Sequence, residues 1–226
     1  YLELTQKNFH RKIKKVLEKK DTLGLNVTIP FKNKIIKHLG KIDAHAKKID
    51  AVNCVTNKKT INGTNTDWTG YYKTLPNIKK TKNKKVIILG YGGASHAIHY
   101  VLKKKGFKDI IIFNRSKKKI KYSNKIEYTK TYRDLEKYLE GVFLIINTTP
   151  INPILKKQLR LITKSTIVSD IVYSPKNTTF LKKFPKNKKI YGISMLIEQA
   201  KPCFKMWFGK SPSVDKKMLK AIYKKI

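Results

Sequence analysis

The sequence predicts an α/β fold whose second half is a doubly wound parallel sheet. Continuously apolar runs begin at Val86, Ile110, Val142 and Ile167 and alternate with helical patterns, which is typical of parallel strands covered on both faces. A glycine-rich turn, Gly90–Ala94, separates the first run from a helical pattern, where dinucleotide-binding folds hold a pyrophosphate. We therefore expect a Rossmann-like doubly wound parallel sheet domain plus a smaller α/β domain that precedes it.

The N-terminal third of the chain begins with a helical pattern followed by a strand pattern. Apolar residues at helical spacing predict an amphipathic helix over Phe9–Lys20. Leu23–Ile29 predicts a strand, and Pro30 ends it because proline cannot donate a backbone hydrogen bond to a neighbouring strand. Ile35–Leu39 predicts a further helical segment that ends at Gly40.

A hairpin and a capped helix follow. Val52–Thr56 and Thr60–Thr64 flank a polar turn and predict two antiparallel strands. Asn65–Asp67 offers three capping side chains to a helix that runs through Leu75, and Pro76 closes that helix.

The lysine-rich stretch Lys79–Lys85 marks the change to the second pattern. Beyond it, a helix is expected over Ala94–Lys105, and two helices, Ser194–Phe208 and Val214–Tyr223, end the chain. The four apolar runs predict strands over Val86–Leu89, Ile110–Phe113, Val142–Ile146 and Ile167–Val172. The domains are placed accordingly: residues 1–80 completed by 196–226, and a nucleotide-binding domain of residues 81–195.

The chain is strongly basic, with a net charge of +38 from 52 Lys and Arg against 14 Asp and Glu. Such a charge favours nucleic-acid binding where the cations cluster in a motif. Here the lysines are spread along the whole chain, so we expect a solvated surface and no specific nucleic-acid partner. Salt-sensitive, non-specific binding to polyanions is still expected, and a dedicated nucleic-acid role stays the third-ranked alternative.

Cys54 and Cys203 lack a metal-binding spacing, so we expect two buried, reduced thiols, no metal site and a cytoplasmic location. No apolar run is long enough to cross a bilayer, and no membrane association is expected. No signal peptide is visible, but the sequence opens at Tyr1 without a methionine, so we expect its natural start to lie upstream. The oligomeric state is expected to be a monomer or a homodimer.

The glycine-rich turn has Ser95 where the usual dinucleotide pattern has a third glycine, so a turn without a ligand stays an alternative. At the end of the next strand, where an NAD enzyme carries an acidic residue, the chain has Asn114, Arg115 and Ser116. Arg115 can pair with a 2′-phosphate that a carboxylate would repel. Lys119 either supplies a second positive charge there or is an ordinary surface lysine. The pattern favours NADP as the cofactor.

A lysine and an aspartate complete the chemical pattern. Lys32 follows the strand-ending proline, and Asp67 opens the capped helix. Reducing a ketone requires a hydride and a proton for the developing alkoxide, and an ammonium oriented by a carboxylate can supply that proton. Taken singly, Lys32 fits a solvent-facing lysine and Asp67 fits a helix cap. Together with the nucleotide motif, they predict a dehydrogenase.

Seven short segments, in order along nearly the whole chain, resemble the shikimate dehydrogenase family. They are Asn26–Lys32, Ala51–Asn53, Asn65–Asp67, Gly90–Ala94, Asn114–Ser116, Asp170–Tyr173 and Gly192–Ala200. The resemblance implies reversible, NADP-dependent reduction of 3-dehydroshikimate to shikimate, on the route to chorismate and aromatic amino acids. A quinate-preferring dehydrogenase and a catalytically impaired NADP-binding remnant are the alternatives.

The resemblance also implies roles for individual residues. Lys32 and Asp67 become the catalytic pair, and the implied substrate contacts are Thr28, Asn53, Tyr173 and Gln199. The implied cofactor contacts are Gly90, Tyr91, Gly92, Gly93, Ala94, Asn114, Arg115, Ser116, Lys119, Thr148, Ile171 and Gly192. By itself, Asn53 also fits a local backbone contact, Tyr173 fits an interface contact, and Gly192 fits an ordinary turn.

The chain departs from the family pattern in three places. The family's opening strand and helix, with a Ser-x-Ser pair that holds the substrate carboxylate, have no counterpart, so we expect an N-terminal segment to be lacking and the isolated chain to be poorly active. Asn152 and Pro153 stand where the family usually has Gly-Met, and Cys54 stands where threonine is common.

Overall fold

A computed structural model describes residues 3–78, 80–120 and 127–224 of the chain. Lys79, the first residue of the predicted linker, lies outside the described residues. The part before the linker contains a small sheet and its helices. In chain order these are α1 (Phe9–Leu17), β1 (Gly24–Asn26), a 3₁₀ helix (Lys34–His38), β2 (Lys41–Ile42), α2 (Ala44–Ile49), β3 (Cys54–Asn57), β4 (Ile61–Thr64) and α3 (Asp67–Thr74).

The first sheet has four strands in the order β1-β3-β4-β2. The predicted hairpin is confirmed, because β3 pairs antiparallel with β4 and places Cys54 opposite Thr64. The predicted strand over 23–29 contracts to β1, since the chain turns where the Phe31 N–H donates to the Thr28 carbonyl. The predicted first helix contracts to α1, which ends at Leu17, the last of its buried apolar residues.

Two short elements, β2 and α2, are absent from the sequence prediction. The Asp43 carboxylate caps α2 by accepting from the Ala46 N–H at 2.8 Å. Only Ala46 and Ile49 of the six residues in α2 are buried. Two buried positions are too few to give a recognisable helical period, which explains why the pattern does not show it.

The remainder of the chain contains the predicted alternation of strands and helices. The elements are β5 (Val86–Leu89), α4 (Gly93–Lys104), β6 (Ile110–Asn114), β7 (Lys119–Ile120), β8 (Glu127–Tyr128), β9 (Lys130–Thr131), β10 (Leu144–Asn147), β11 (Ile167–Asp170), α5 (Thr179–Lys182), β12 (Lys189–Tyr191), α6 (Gly192–Phe208) and α7 (Lys216–Lys224). All four strands predicted from apolar runs are present, as β5, β6, β10 and β11.

The second sheet has six parallel strands in the order β12-β11-β10-β5-β6-β9. The strand order runs outward in both directions from the boundary between β5 and β10, which is the doubly wound arrangement. The Rossmann-like doubly wound prediction is therefore confirmed. Alternate residues of β5 enter cores on opposite faces of the sheet: Val86 and Ile88 on one face, Ile87 and Leu89 on the other. Burial on both faces explains why the strand is continuously apolar.

Helices α3 and α6 connect the two sheets. Tyr71 of α3 is buried in a core of the second sheet, and its hydroxyl donates to Ser169 Oγ of β11 at 3.3 Å. α6 begins directly after β12, and its Trp207 Nε1 donates to the Val55 carbonyl of β3 at 2.9 Å. The domain boundaries at residues 80 and 196 stay predictions. Within the described residues, no helix combines the length and the apolar character needed to cross a bilayer.

Candidate active site

Lys32 and Asp67, distant in the sequence, form a buried ion pair. Lys32 lies just after the turn that follows β1, and its carbonyl accepts from the Val52 N–H at 2.8 Å. Asp67 is the first residue of α3, where the helix dipole favours a negative charge. Lys32 Nζ lies 2.5 Å from Asp67 Oδ2, and the residues are 9% and 5% exposed. Burying an ammonium is tolerated only with a close partner, so the pair holds Lys32 inside a protein whose lysines are otherwise mostly exposed.

Asn53 connects this ion pair to α6. Its Nδ2 donates to Asp67 Oδ1 at 2.9 Å and lies 3.1 Å from Gln199 Oε1. Its Oδ1 accepts from the backbone N–H of Thr66 at 2.6 Å. Both oxygens of the Asp67 carboxylate are therefore engaged, one by Asn53 and one by Lys32, and this fixes the direction in which the carboxylate holds the amine.

The structure brings together Lys32, Asp67, Asn53 and Gln199 from the predicted catalytic and substrate residues. Thr28 and Tyr173 are exposed, Tyr173 by 43%, and neither side chain joins this network among the residues that the structure describes. Thr66 is a member of the network that the sequence analysis missed, because a threonine before a helix is usually only a cap.

The glycine-rich turn lies beside the ion pair. Gly93 begins α4, and a Cβ atom placed on it would lie 3.3 Å from both Cβ and Cδ of Lys32. A Cβ atom on Gly92 would meet no atom within 4 Å, so the backbone there faces open space at a helix N-terminus. That geometry fits a pyrophosphate, which needs close backbone approach and free N–H groups. Tyr91 and Ala94, on either side of these glycines, are buried, 7% and 8% exposed.

Ser95, in place of the third glycine, fixes the turn. Its hydroxyl is fully buried and donates to the Gly90 carbonyl at 2.9 Å. Gly90 has φ +101°, and a Cβ atom there would lie 2.5 Å from Thr148 Oγ1. Thr148 in turn donates to the Leu89 carbonyl at 2.7 Å. The serine is therefore compatible with a formed phosphate-binding turn.

Asn114 is the last residue of β6, the strand next to β5, and Arg115 and Ser116 follow it. The Phe113 carbonyl accepts from the Gly90 N–H at 2.7 Å, which places this segment beside the glycine-rich turn. Asn114 Nδ2 donates to the Ser116 carbonyl at 2.9 Å and holds the loop, while Arg115 and Lys119 are exposed. An exposed guanidinium at this point can reach a ribose phosphate.

Gly192 lies directly against the segment that follows β11. A Cβ atom on Gly192 would lie 2.4 Å from the Ile171 carbonyl oxygen, so only glycine permits this approach. Asp170 organises the same segment: it accepts from the Val172 N–H at 3.0 Å and from the Thr178 hydroxyl at 2.6 Å. Burial raises the pKa of the Asp170 carboxyl, and these hydrogen bonds oppose that change.

Fold and site together define a class of protein. A doubly wound sheet with an anion-binding turn, facing a buried ammonium–carboxylate pair, is the architecture of a nucleotide-dependent dehydrogenase.

Family models identify the family within this class. Residues 1–55 match the shikimate dehydrogenase substrate binding domain, and residues 73–179 match shikimate / quinate 5-dehydrogenase. The shikimate dehydrogenase (NADP(+)) of Methanococcus maripaludis strain C6 is 39% identical over 225 residues, which cover 90% of this chain and 78% of that protein. The chain therefore belongs to the shikimate dehydrogenase family.

Solved structures agree with this assignment. Shikimate dehydrogenase 1 from Peptoclostridium difficile superposes with a TM-score of 0.83 at 28% identity, covering 99% of this chain and 84% of that chain. A shikimate dehydrogenase in complex with NADP⁺ superposes with a TM-score of 0.80 at 29% identity, covering 100% of this chain and 84% of that chain.

Proposed function

We propose that this protein catalyses the reversible, NADP-dependent reduction of 3-dehydroshikimate to shikimate. The observation that carries the proposal is the buried Lys32–Asp67 pair, with Lys32 packed against Gly93, the first residue of α4. A proton donor and a nucleotide site that share one wall are what the reduction of a ketone requires. Family membership supplies the substrate class.

Lys32 Nζ is the proposed proton donor. As hydride reaches the ketone carbon, negative charge develops on the carbonyl oxygen, and an ammonium placed there stabilises it and delivers the proton. Asp67 Oδ2 accepts a hydrogen bond from Nζ and so fixes the direction of the ammonium, while Asn53 holds the other carboxylate oxygen. In the oxidative direction the same nitrogen receives the proton of the substrate hydroxyl.

Asn53 and Gln199 are the proposed contacts to the ring hydroxyls, because each amide both donates and accepts hydrogen bonds. Thr28 and Tyr173, exposed in this structure, are proposed to complete the substrate site when substrate binds.

The proposed NADP site begins at the glycine-rich turn. The backbone of Gly90–Ala94 and the N-terminus of α4 would hold the pyrophosphate, and Thr148 supports that turn. Arg115, with Asn114, Ser116 and Lys119 around it, would hold the 2′-phosphate, while Ile171 and Gly192 would lie against the nicotinamide. NADP supplies or receives the hydride.

Quinate is the second candidate substrate, because the family model that matches residues 73–179 covers both shikimate and quinate dehydrogenases. Quinate has a saturated ring and one more hydroxyl than shikimate.

We place the enzyme in the cytoplasm as a monomer or homodimer that acts on small-molecule substrates and has no specific nucleic-acid partner. The two free thiols, Cys54 and Cys203, support a reducing compartment.

A four-way assay tests the proposal. The protein with its native N-terminus is incubated with shikimate or quinate and with NADP⁺ or NAD⁺, and reduced cofactor is followed by absorbance. We expect the highest kcat/KM for shikimate with NADP⁺. A higher value for quinate would establish the second candidate, and NADP⁺ binding without oxidation of either substrate would contradict both.

A further inference from the structure

Thr66 occupies a helix-capping position without capping the helix. It is the N-cap residue of α3, but its side chain makes no capping hydrogen bond. Asn65 instead accepts from the Trp68 N–H at 3.3 Å. A threonine here normally satisfies a free N–H of the first helical turn, so a buried hydroxyl turned elsewhere has another role.

The hydroxyl is turned toward the two amides of the substrate site. Thr66 Oγ1 accepts from Asn53 Nδ2 at 2.9 Å and lies 3.2 Å from Gln199 Oε1. Gln199 Nε2 donates to the Leu196 carbonyl at 3.0 Å, which directs Oε1 toward Thr66. Because a hydroxyl has one proton and two lone pairs, Thr66 can accept from Asn53 and donate to Gln199 at the same time.

Cys203 lies behind this hydroxyl. Its Sγ is 3.2 Å from Thr66 Oγ1 and 3.4 Å from the Gln199 carbonyl, to which it donates. The thiol of Cys54 contacts Cys203, and this hydrogen bond together with burial raises the pKa of Cys54, so Cys54 stays protonated. Cys203 therefore contacts Thr66 together with the two amides, and the Thr66 hydroxyl also lies 3.3 Å from Asn53 Oδ1, a longer contact than its 3.2 Å approach to Gln199 Oε1.

We propose that Thr66, seated against Cys203, is a positioning residue that fixes the orientation of the Gln199 and Asn53 amides. With Oε1 of Gln199 held by Thr66 and one Nε2 hydrogen held by Leu196, the amide presents its second N–H to the substrate. Gln199 then recognises a ring hydroxyl through the oxygen of that hydroxyl. The identity of the substrate in this inference rests on the proposed function, whereas the geometry of the two amides does not.

Three variants test the kinetic consequence. Thr66→Val should raise the KM for shikimate about 3- to 30-fold, the range for one or two lost hydrogen bonds. The kcat and the KM for NADP⁺ should change less than about twofold. Thr66→Ser, which keeps the hydroxyl, should restore the KM to within about twofold. Thr74→Val is the matched control, because among the described residues Thr74 donates within α3, to the Tyr71 carbonyl at 2.8 Å. The KM of Thr74→Val for shikimate should equal that of the wild type.

A second measurement does not depend on turnover. In ¹H–¹⁵N spectra of the unliganded protein, Thr66→Val should shift the side-chain NH₂ signals of Asn53 and Gln199, and Thr66→Ser and Thr74→Val should not. Unchanged amide signals in Thr66→Val, or a serine variant as impaired as the valine variant, would overturn the proposal. A wild-type protein inactive on shikimate would defeat the proposed function alone, since the spectra would still decide the role of Thr66.

Discussion

Gly93 and Lys32 are in direct contact: a Cβ atom on residue 93 would lie 3.3 Å from two carbons of the lysine side chain. The first residue of α4 thus forms part of the wall that holds Lys32, the proposed proton donor. We therefore propose different functions for the neighbouring residues Gly92 and Gly93, which their alanine variants should separate.

Gly93→Ala should lower kcat about 3- to 30-fold, since the added methyl displaces Lys32 by a fraction of an ångström from the reacting oxygen. Gly92→Ala adds its methyl to open space at the helix N-terminus and should instead raise the KM for NADP⁺. Steady-state kinetics with each ligand varied separates the two effects. Gly40→Ala, whose Cβ would make an ordinary 3.6 Å contact, is the control. Identical effects of the two active-site variants would contradict the assignment.

Lys32→Met should reduce kcat by about 10²- to 10⁴-fold, the usual contribution of a positioned proton donor. The KM for shikimate should change little, because the side-chain amides of Asn53 and Gln199, the proposed substrate contacts, stay in place. The variant should also be less stable, since Asp67 becomes a buried carboxylate without its cation. Lys37→Met, on an exposed lysine nearby, is the control for both turnover and urea unfolding. Near-normal turnover in Lys32→Met would remove the proposed role.

Arg115→Ala should raise the KM for NADPH at least about tenfold and leave the KM for NADH nearly unchanged, because only NADPH carries the 2′-phosphate. Arg115→Lys should be intermediate, since lysine keeps the charge but loses the fork of donors. Arg160→Ala removes another exposed arginine and controls for the loss of net charge. An equal rise for both cofactors would contradict the predicted selectivity.

Acid should destabilise the fold through His99. Burial, with Lys103 and His96 nearby, lowers the pKa of His99 to about 4, against 6.5 for the free side chain. Between these values the unfolded chain binds the proton that the folded protein excludes, so stability falls as pH falls from 6.5 toward 4. Urea unfolding should show a loss on the order of 2 kcal/mol between pH 6.5 and 4.5 that is absent in His99→Gln. Above pH 7 the two proteins should have the same pH dependence; equal slopes below it would contradict the prediction.

The central strands could be predicted from sequence because each is buried on both faces. β5 matches its predicted bounds, and β11 begins at the predicted Ile167. The edge strands β9 and β12 could not be predicted, because they are two and three residues long and each begins with a lysine. An edge strand has fewer neighbours to bury it, so its sequence need not be apolar.

The site was only partly predictable for a different reason. Lys32, Asp67, Asn53 and Gln199 were found because their segments resemble a family, while the pattern says nothing of the distances between them. Thr66 was missed because a threonine before a helix can either cap that helix or contact another side chain. Only the direction of its hydroxyl distinguishes the two arrangements. Ser95 was interpreted as a weakness of the glycine motif, and its bond to Gly90 accounts for its presence.

Tyr71 lies one turn after Asp67 on the same helix, and it is buried in a core of the second sheet. The carboxylate that pairs with Lys32 is therefore anchored, through α3, in the packing of the second sheet. We expect that loosening the packing around Ser169, to which the Tyr71 hydroxyl donates, would shift α3 and misalign the Lys32–Asp67 pair.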